Sequence, residues 1–174
     1  KGFDLSILLT GAFGNDVYNY LAKRNSEPNN IYVGLNFLTD AMDYARPTTG
    51  DDGKVVLENP DAKTPRVSIA RNGNNNYARH TDRWVEDGSF IRVKNIMLSY
   101  NLPSRWLARQ KVISGARITA SAQNLYTFTK YSGYDPEVGA YVDYGVTAQN
   151  QAIGIDYGRY PLAPVYTFSV NVNF

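Results

Sequence analysis

Hydrophobic and polar residues alternate along four stretches of the chain, with the period of two that β-strands require and helices do not show. The stretches lie at about 2–13, 89–102, 116–128 and 161–174. The clearest example is the last, in which an apolar row, Tyr166, Phe168, Val170, Val172 and Phe174, alternates with a small polar row, Thr167, Ser169, Asn171 and Asn173. The sequence therefore predicts an all-β protein.

Each predicted strand is two-faced and has the roughly 9 to 11 residues that a tilted strand needs to cross a bilayer. The 14 Tyr, beside many Asn and Gly, also suit strands that face lipid on one side and water on the other. The residues that we expect to line a wet interior are Asp4, Ser6, Arg117, Thr119, Gln123, Asn171 and Asn173.

The connections between the predicted strands run long, short, long, with long loops at 14–88 and 129–160. Outer-membrane barrels have long extracellular loops and short periplasmic turns. The turn at 103–113 and the end of the last strand are therefore expected on the periplasmic side. The first long loop is expected to be irregular, apart from a short amphipathic helix that ends before Pro47 and is indicated by Leu35, Leu38, Met42 and Ala45.

Composition excludes several classes of protein. The net charge is +2, from 18 basic and 16 acidic residues that are spread along the chain, so nucleic acid is not an expected partner. Cysteine is absent, no apolar run is long enough for a membrane-spanning helix, and no phosphate-binding motif occurs. We expect no metal and no cofactor, because the single histidine, His80, lies in a polar loop.

Four strands cannot close a membrane barrel, since even the smallest has about eight and each strand edge in lipid must be paired. Either neighbouring strands are missing from this sequence or the protein is not a barrel. The first alternative is a soluble carbohydrate-binding β-sandwich, in which a second sheet would cover the apolar faces.

Several segments resemble the C-terminal signature of SusC/RagA-type TonB-dependent outer-membrane transporters. They are GFDLSI from Gly2, FGNDVYN from Phe13, WVEDGSFIRVKNIMLSYNLP from Trp84, QNLYTFTKYSGYDPEV from Gln123 and TFSVNVNF from Thr167. The loop 21–83 and the stretch 139–158 carry no matching segment. The order and spacing of the five matching segments agree with the family pattern.

The resemblance implies that 1–174 is the C-terminal part of one antiparallel transmembrane β-barrel of about 22 strands with a plugged lumen. This chain would supply the last four strands, and the plug would lie upstream. The implied function is import of a bulky nutrient, an oligosaccharide or a peptide, across the bacterial outer membrane. The implied partners are the rest of the barrel and its plug, the TonB complex, a SusD-like surface lipoprotein and outer-membrane lipids.

An enzyme is the least favoured alternative. The carboxylate pairs Asp135 with Glu137 and Glu86 with Asp87 could be interpreted as a glycoside hydrolase site. That chemistry needs two carboxyls on opposite sides of a sugar, which neighbours in one turn do not provide. We therefore predict no catalytic residue.

Three further hypotheses concern single residues. Tyr141 and Tyr144 are weak candidates for stacking on a sugar cargo. Arg92 and Lys94 share the outward face of Ile96 and Leu98 but lie closer to the outer end of that strand, so we expect them above the hydrocarbon, where they would meet lipid phosphates. Phe174 ends an apolar row and resembles the assembly signal of bacterial barrel proteins.

Overall fold

The computed structural model describes residues 2–27, 34, 36–67, 76, 79–107, 112–138 and 153–174. The strands are β1 (Phe3–Ala12), β2 (Asp16–Tyr18), β3 (Pro47–Thr49), β4 (Val55–Leu57), β5 (Val85–Asp87), β6 (Phe90–Asn101), β7 (Gly115–Thr129) and β8 (Val165–Asn173). The helices are α1 (Tyr20–Asn25), α2 (Ser104–Leu107) and the 3-10 turns Thr39–Met42 and Asp82–Trp84. No described helix has the length and apolar character needed to cross a bilayer.

The chain divides into two compact units, one of residues 1–16, 87–137 and 159–174 and one of residues 17–86 and 138–158. The first unit holds a four-stranded sheet with the order β1–β6–β7–β8. All three pairings in this sheet are antiparallel. These are the four strands that the alternation predicts, with β8 beginning at Val165 and not at 161.

Two bulges interrupt the sheet at the same level. Against β1, residues Asn95 and Val93 pair with the consecutive Leu8 and Leu9, which leaves Lys94 as an extra residue in β6. Against β7, Gln123 and Tyr126 pair with Asn95 and Val93. The extra backbone in β7 includes Asn124, which has a φ of 50°. A bulge of this kind reverses the alternation along its strand.

Among the described residues, no hydrophobic core covers either face of the four-stranded sheet. In the first unit the buried apolar side chains are Phe90 and Tyr131, both at one end of the sheet. By contrast, Phe3, Tyr166 and Phe168 are 74%, 71% and 70% exposed. A free-standing soluble sheet would normally bury such side chains against a second layer.

The second unit is organised around Val17 and Trp84, which are both buried. The Asn19 side chain caps α1 by accepting a hydrogen bond of 2.9 Å from the Ala22 amide. A short sheet pairs β2 with β5, and another pairs β3 with β4. The long loop predicted as irregular therefore contains ordered secondary structure.

The prediction of an amphipathic helix before Pro47 is wrong. Residues 39–42 form one 3-10 turn, and Met42 is 82% exposed. The chain turns away after it, because the Thr64 amide and hydroxyl both donate to the Asp43 carbonyl. This tertiary contact ends the helical pattern, although the spacing of the apolar residues favours it.

Candidate functional site

One face of the four-stranded sheet, here called the polar face, collects the residues predicted to line a wet interior. Opposed residues in antiparallel strands share a face. Asp4 lies opposite Ser99, and Ser99 lies opposite Thr119. The same register places these predicted residues together: Asp4, Ser6, Arg117, Thr119, Gln123, Asn171 and Asn173.

Side chains on the polar face bond to one another across strands. The Arg117 Nη2 donates to Asp4 Oδ2 at 2.9 Å, and the two side chains are 38% and 59% exposed. An ion pair this exposed contributes little to stability. Ser99 is 1% exposed and its hydroxyl lies 3.0 Å from that of Thr119. The central part of the face thus carries hydroxyls, amides and the Arg117–Asp4 ion pair, which has no net charge.

The opposite face, here called the apolar face, is a continuous exposed hydrophobic surface. Its members on the two edge strands are Phe3, Leu5, Ile7, Leu9, Tyr166, Phe168, Val170 and Val172. On β7 the row is interrupted by small residues, so a groove of about 420 Å³ lies over Ala120 and Ala122. Its walls come from Leu98 and Ile96 on one side and Phe168 on the other.

Arg92 is the most buried charged group of the sheet, with an exposed fraction of 1%. Its Nη1 donates to Glu137 Oε2 at 2.7 Å, and its Nη2 donates to Asp135 Oδ1. Its Nε donates to the Thr127 hydroxyl at 2.8 Å. Asp135 also accepts from the Leu162 amide at 3.5 Å. These contacts define the Arg92 cluster, which consists of Arg92, Thr127, Asp135 and Glu137. The cluster joins β6, β7, the segment that follows β7 and the segment that precedes β8.

The hypothesis that Arg92 meets lipid phosphates is wrong. Because the bulge at Lys94 reverses the alternation, Arg92 pairs with Thr10 and Thr127 and lies on the polar face, away from Ile96. Its guanidinium is already engaged by two carboxylates. The local sequence gives no indication that Asp135 and Glu137 bind Arg92, because 43 and 45 residues separate them from it along the chain.

The other carboxylates considered for catalysis also have local partners. Glu86 Oε1 accepts a hydrogen bond of 2.8 Å from the Asn19 side chain. Hydrogen bonding with Ser89 holds the pKa of Asp87 below its usual value, which keeps it ionised and unsuited to act as a general acid. Within the residues that the structure describes, no group of three acidic or histidine side chains could hold a metal ion.

The remaining predicted residues are placed as follows. Tyr141 and Tyr144 lie outside the described residues. Lys94 has no opposite residue in either pairing of β6. Phe174 follows the last residue of β8 and is 85% exposed.

The chain is similar along its whole length to known receptors, although no family model matches it. It is 30% identical over 174 residues to TonB-dependent receptor P3 of Formosa agariphila, covering all of this chain and 15% of that protein. It is 28% identical to TonB-dependent receptor SusC of Bacteroides thetaiotaomicron, covering 14% of that protein.

Among solved structures, the RagAB peptide importer in its closed-closed state matches the whole chain with a TM-score of 0.71 and 25% identity, over 16% of the matched chain. The open-open state of the same importer gives a TM-score of 0.65. The chain thus spans about 15% of the length of the curated relatives it matches. These relatives are receptors and transporters and not enzymes. Sequence and fold together show that the chain is related along its whole length to part of the TonB-dependent receptors, with SusC among its sequence relatives and RagAB among its structural neighbours.

Proposed function

We propose that this chain forms part of the wall of an outer-membrane active transporter that imports a bulky nutrient. TonB-dependent receptors are outer-membrane β-barrel proteins, and both the homology and the fold support this assignment. In this proposal the apolar face meets acyl chains and the polar face lines the lumen. The single observation that carries it is the exposed hydrophobic face of β8, with Phe168 70% exposed beside a row of small polar residues.

Physical chemistry supports a lipid environment for the apolar face. A soluble protein rarely exposes a contiguous apolar patch larger than a few hundred square ångströms. The apolar face runs across four strands, and the described residues include no second sheet that covers it. The alternative of a soluble carbohydrate-binding β-sandwich requires such a sheet. Membrane burial removes the same surface from water without one.

The edges of the sheet support a larger barrel. Within the described chain, β1 and β8 each have one edge without a paired strand. Unpaired backbone groups in a bilayer each cost several kcal/mol, so closed barrels are the form that strands take there. We therefore propose that flanking strands of the same protein complete a barrel of about 22 strands around a plug.

The proposed energy source, partner and cargo are those that are typical of the family. We propose energy coupling through TonB and a SusD-like surface lipoprotein that acts as a lid. The cargo is an oligosaccharide or a peptide, since the hydroxyls and amides of the polar face can form hydrogen bonds with either. Tyr141 and Tyr144 remain proposed cargo contacts. We propose that the Lys94 ammonium binds lipid phosphate. Arg92 has no part in this contact, because it is paired with Asp135 and Glu137.

A role in assembly is proposed for Phe174. Removing Phe174 from the full-length receptor should reduce the amount of folded barrel in the outer membrane, measured as heat-modifiable mobility on a gel. Replacement by Tyr keeps an aromatic ring and should preserve folding. Equal yields of folded protein for the deletion and the unaltered receptor would refute the assembly role.

The orientation of the two faces can be tested on the full-length receptor in lipid vesicles. Spin labels on Phe168→Cys and Ser169→Cys would compare adjacent positions on opposite faces. We expect label 168 to relax with lipid-soluble oxygen and label 169 with a water-soluble nickel complex. Nickel access that is equal at both positions would reject the proposal. Uptake of labelled oligosaccharides and peptides by cells with and without the receptor would then identify the cargo class.

A further inference from the structure

Three backbone hydrogen bonds within the second unit join the two long loops of the chain. The Tyr18 amide, in the first loop, donates to the Gly154 carbonyl of the second loop at 2.9 Å. The Asp156 amide donates back to the Tyr18 carbonyl at 2.9 Å, and the Leu21 amide donates to the Asp156 carbonyl at 2.9 Å. The segments that make these contacts are here called the loop clasp, which consists of residues 17–21 and 154–158.

The first loop contributes β2 to the clasp, and β5 holds the other edge of this strand. Successive residues of a strand direct their backbone groups to opposite edges. The Asn19 amide donates to the Trp84 carbonyl at 2.7 Å, whereas Tyr18 forms a parallel bridge with Ile155. The Asn19 side chain also donates to Glu86 at 2.8 Å. The second loop therefore extends a small sheet that the first loop has already formed.

Two glycines shape the second loop so that it fits against the first. Gly154 and Gly158 have φ angles of 84° and 91°, a backbone region that residues with a Cβ rarely adopt. Between them, the Asp156 carboxylate accepts a hydrogen bond of 2.7 Å from the Gly158 amide. A Cβ on Gly158 would lie 3.0 Å from the Leu21 Cδ1 atom. The turns at both ends of this segment thus depend on glycine, and one of them lies directly against the first loop.

The loop clasp is shielded from water. Val17 on the first loop and Asp156 on the second are each 1% exposed. The rings of Tyr20 and Tyr157 lie beside these residues, with centroids 4.8 Å apart. Hydrogen bonds in such a place exchange with water only when the local structure opens. The clasp is therefore expected to open as one cooperative unit and not to fray at single bonds.

We infer that the loop clasp makes the two long loops one mechanical unit, and that it stays closed while the receptor works. A displacement of either loop is then transmitted to the other, because the backbone of the second loop is part of the sheet of the first. The clasp is an intramolecular contact and does not depend on the cargo. Its place on the outer side of a transporter rests on the proposed function.

Hydrogen exchange in the full-length receptor, held in lipid vesicles, tests the coupling between the loops. Gly158→Ala strains the second loop at a positive φ, and it should speed exchange of the Tyr18 and Leu21 amides in the first loop about 5- to 30-fold. The matched control is Gly53→Ala, which strains a positive φ of 75° where nothing lies within 4 Å of the added Cβ. This control should leave exchange at Tyr18 and Leu21 unchanged. Unchanged exchange at both amides in Gly158→Ala would overturn the inference.

A disulfide across the bridge tests whether the clasp stays closed during transport. Paired strands bring opposite residues within disulfide distance, so Tyr18→Cys combined with Ile155→Cys should oxidise readily. The chain itself has no cysteine. Cells with the oxidised pair should take up the labelled oligosaccharide or peptide as fast as cells with the reduced pair. Slower uptake that a reducing agent restores would overturn the inference, because it would show that the loops must separate.

Two controls make the disulfide result decisive even if Gly158→Ala does not fold. Tyr18→Cys alone reports the effect of the oxidant and of losing the hydrogen bond between the Tyr18 hydroxyl and His80. Its uptake should not change on oxidation. A cysteine pair that stays reduced, as measured by thiol labelling, would contradict the bridge between the loops.

The loop clasp and the proposed function can fail separately, because hydrogen exchange does not require transport. If the unaltered receptor imports neither oligosaccharide nor peptide, but Gly158→Ala speeds exchange in the first loop, the coupling of the loops stands and the proposed function fails. If uptake is normal and the first loop does not respond to Gly158→Ala, the proposed function stands and the coupling fails.

Discussion

Arg92 faces Thr127 across the β6–β7 pair, and its Nε donates a hydrogen bond of 2.8 Å to the Thr127 hydroxyl. This contact fixes the plane of the guanidinium, so that its two terminal nitrogens point to Asp135 and Glu137. A strand residue thereby holds the segment that follows β7. The Phe90 ring lies 5.3 Å from the guanidinium carbon and covers it from water.

Arg92→Met should destabilise the folded receptor strongly, because it leaves Asp135 nearly buried without its cation. Breaking a buried pair costs about 3 to 5 kcal/mol, and the lower end applies here since Glu137 is 54% exposed. The measurement is the urea midpoint of the receptor in lipid vesicles. The matched control is Arg117→Met, whose pair with Asp4 is exposed and should cost about 0 to 1 kcal/mol. Equal midpoints for the two variants would contradict a structural role for the Arg92 cluster.

Arginine substitutions at two adjacent residues of β8 should have opposite consequences. Phe168→Arg places a charge on the apolar face and should cost about 2 to 4 kcal/mol if that position lies near the middle of the bilayer. Ser169→Arg places the same charge on the polar face, where water can solvate it, and should be tolerated. Folded yield in the outer membrane and the urea midpoint both report the difference. A larger loss for Ser169→Arg would reverse the assignment of the faces.

Asn124 occupies a backbone conformation that glycine adopts readily and β-branched residues do not. With φ at 50°, Asn124→Gly should leave stability nearly unchanged, whereas Asn124→Val should lose about 1 to 2 kcal/mol. The side-chain oxygen of Asn124 is buried without a hydrogen-bond partner among the described residues, so losing it carries no penalty. Thermal unfolding of both variants checks this. A greater loss for Asn124→Gly would show that the amide has a role beyond the bulge.

Gly133 allows the Tyr131 ring to lie against the backbone after β7. A Cβ at Gly133 would lie 2.6 Å from the Tyr131 hydroxyl oxygen, and Tyr131 is 6% exposed. Gly133→Ala should therefore displace the ring and destabilise the segment by about 1 to 3 kcal/mol. The combination with Tyr131→Ala removes the clash, so the two substitutions together should cost less than the sum of each alone. Additive losses would show that the ring does not contact this glycine.

The strands and their two faces could be predicted because alternation depends on local sequence alone. The row from Tyr166 to Val172 needs no tertiary information, and the register agrees with it. Arg92 could not be placed in this way, since the prediction assumed a constant period through Lys94. A bulge depends on how two neighbouring strands pair, and residues far apart in sequence decide it.

The contents of the long loop were also beyond prediction. The helical spacing before Pro47 does not produce a helix, because Thr64, which lies 21 residues further along the chain, donates a hydrogen bond to the backbone of Asp43. Likewise, nothing in the period of the residues around Val55 shows that they remain exposed. Exposure depends on what the folded chain leaves uncovered, which composition does not encode.

The bulge at Lys94 also restricts how this gene can change in length. Losing a single codon between Val93 and Asn95 would restore strict alternation and reverse the faces of the first third of β6, from Phe90 to Val93. Arg92 would then lie on the apolar face, while Ile91 would lie on the polar face. Insertions and deletions should therefore accumulate among relatives in the segments between strands and be rare within this one.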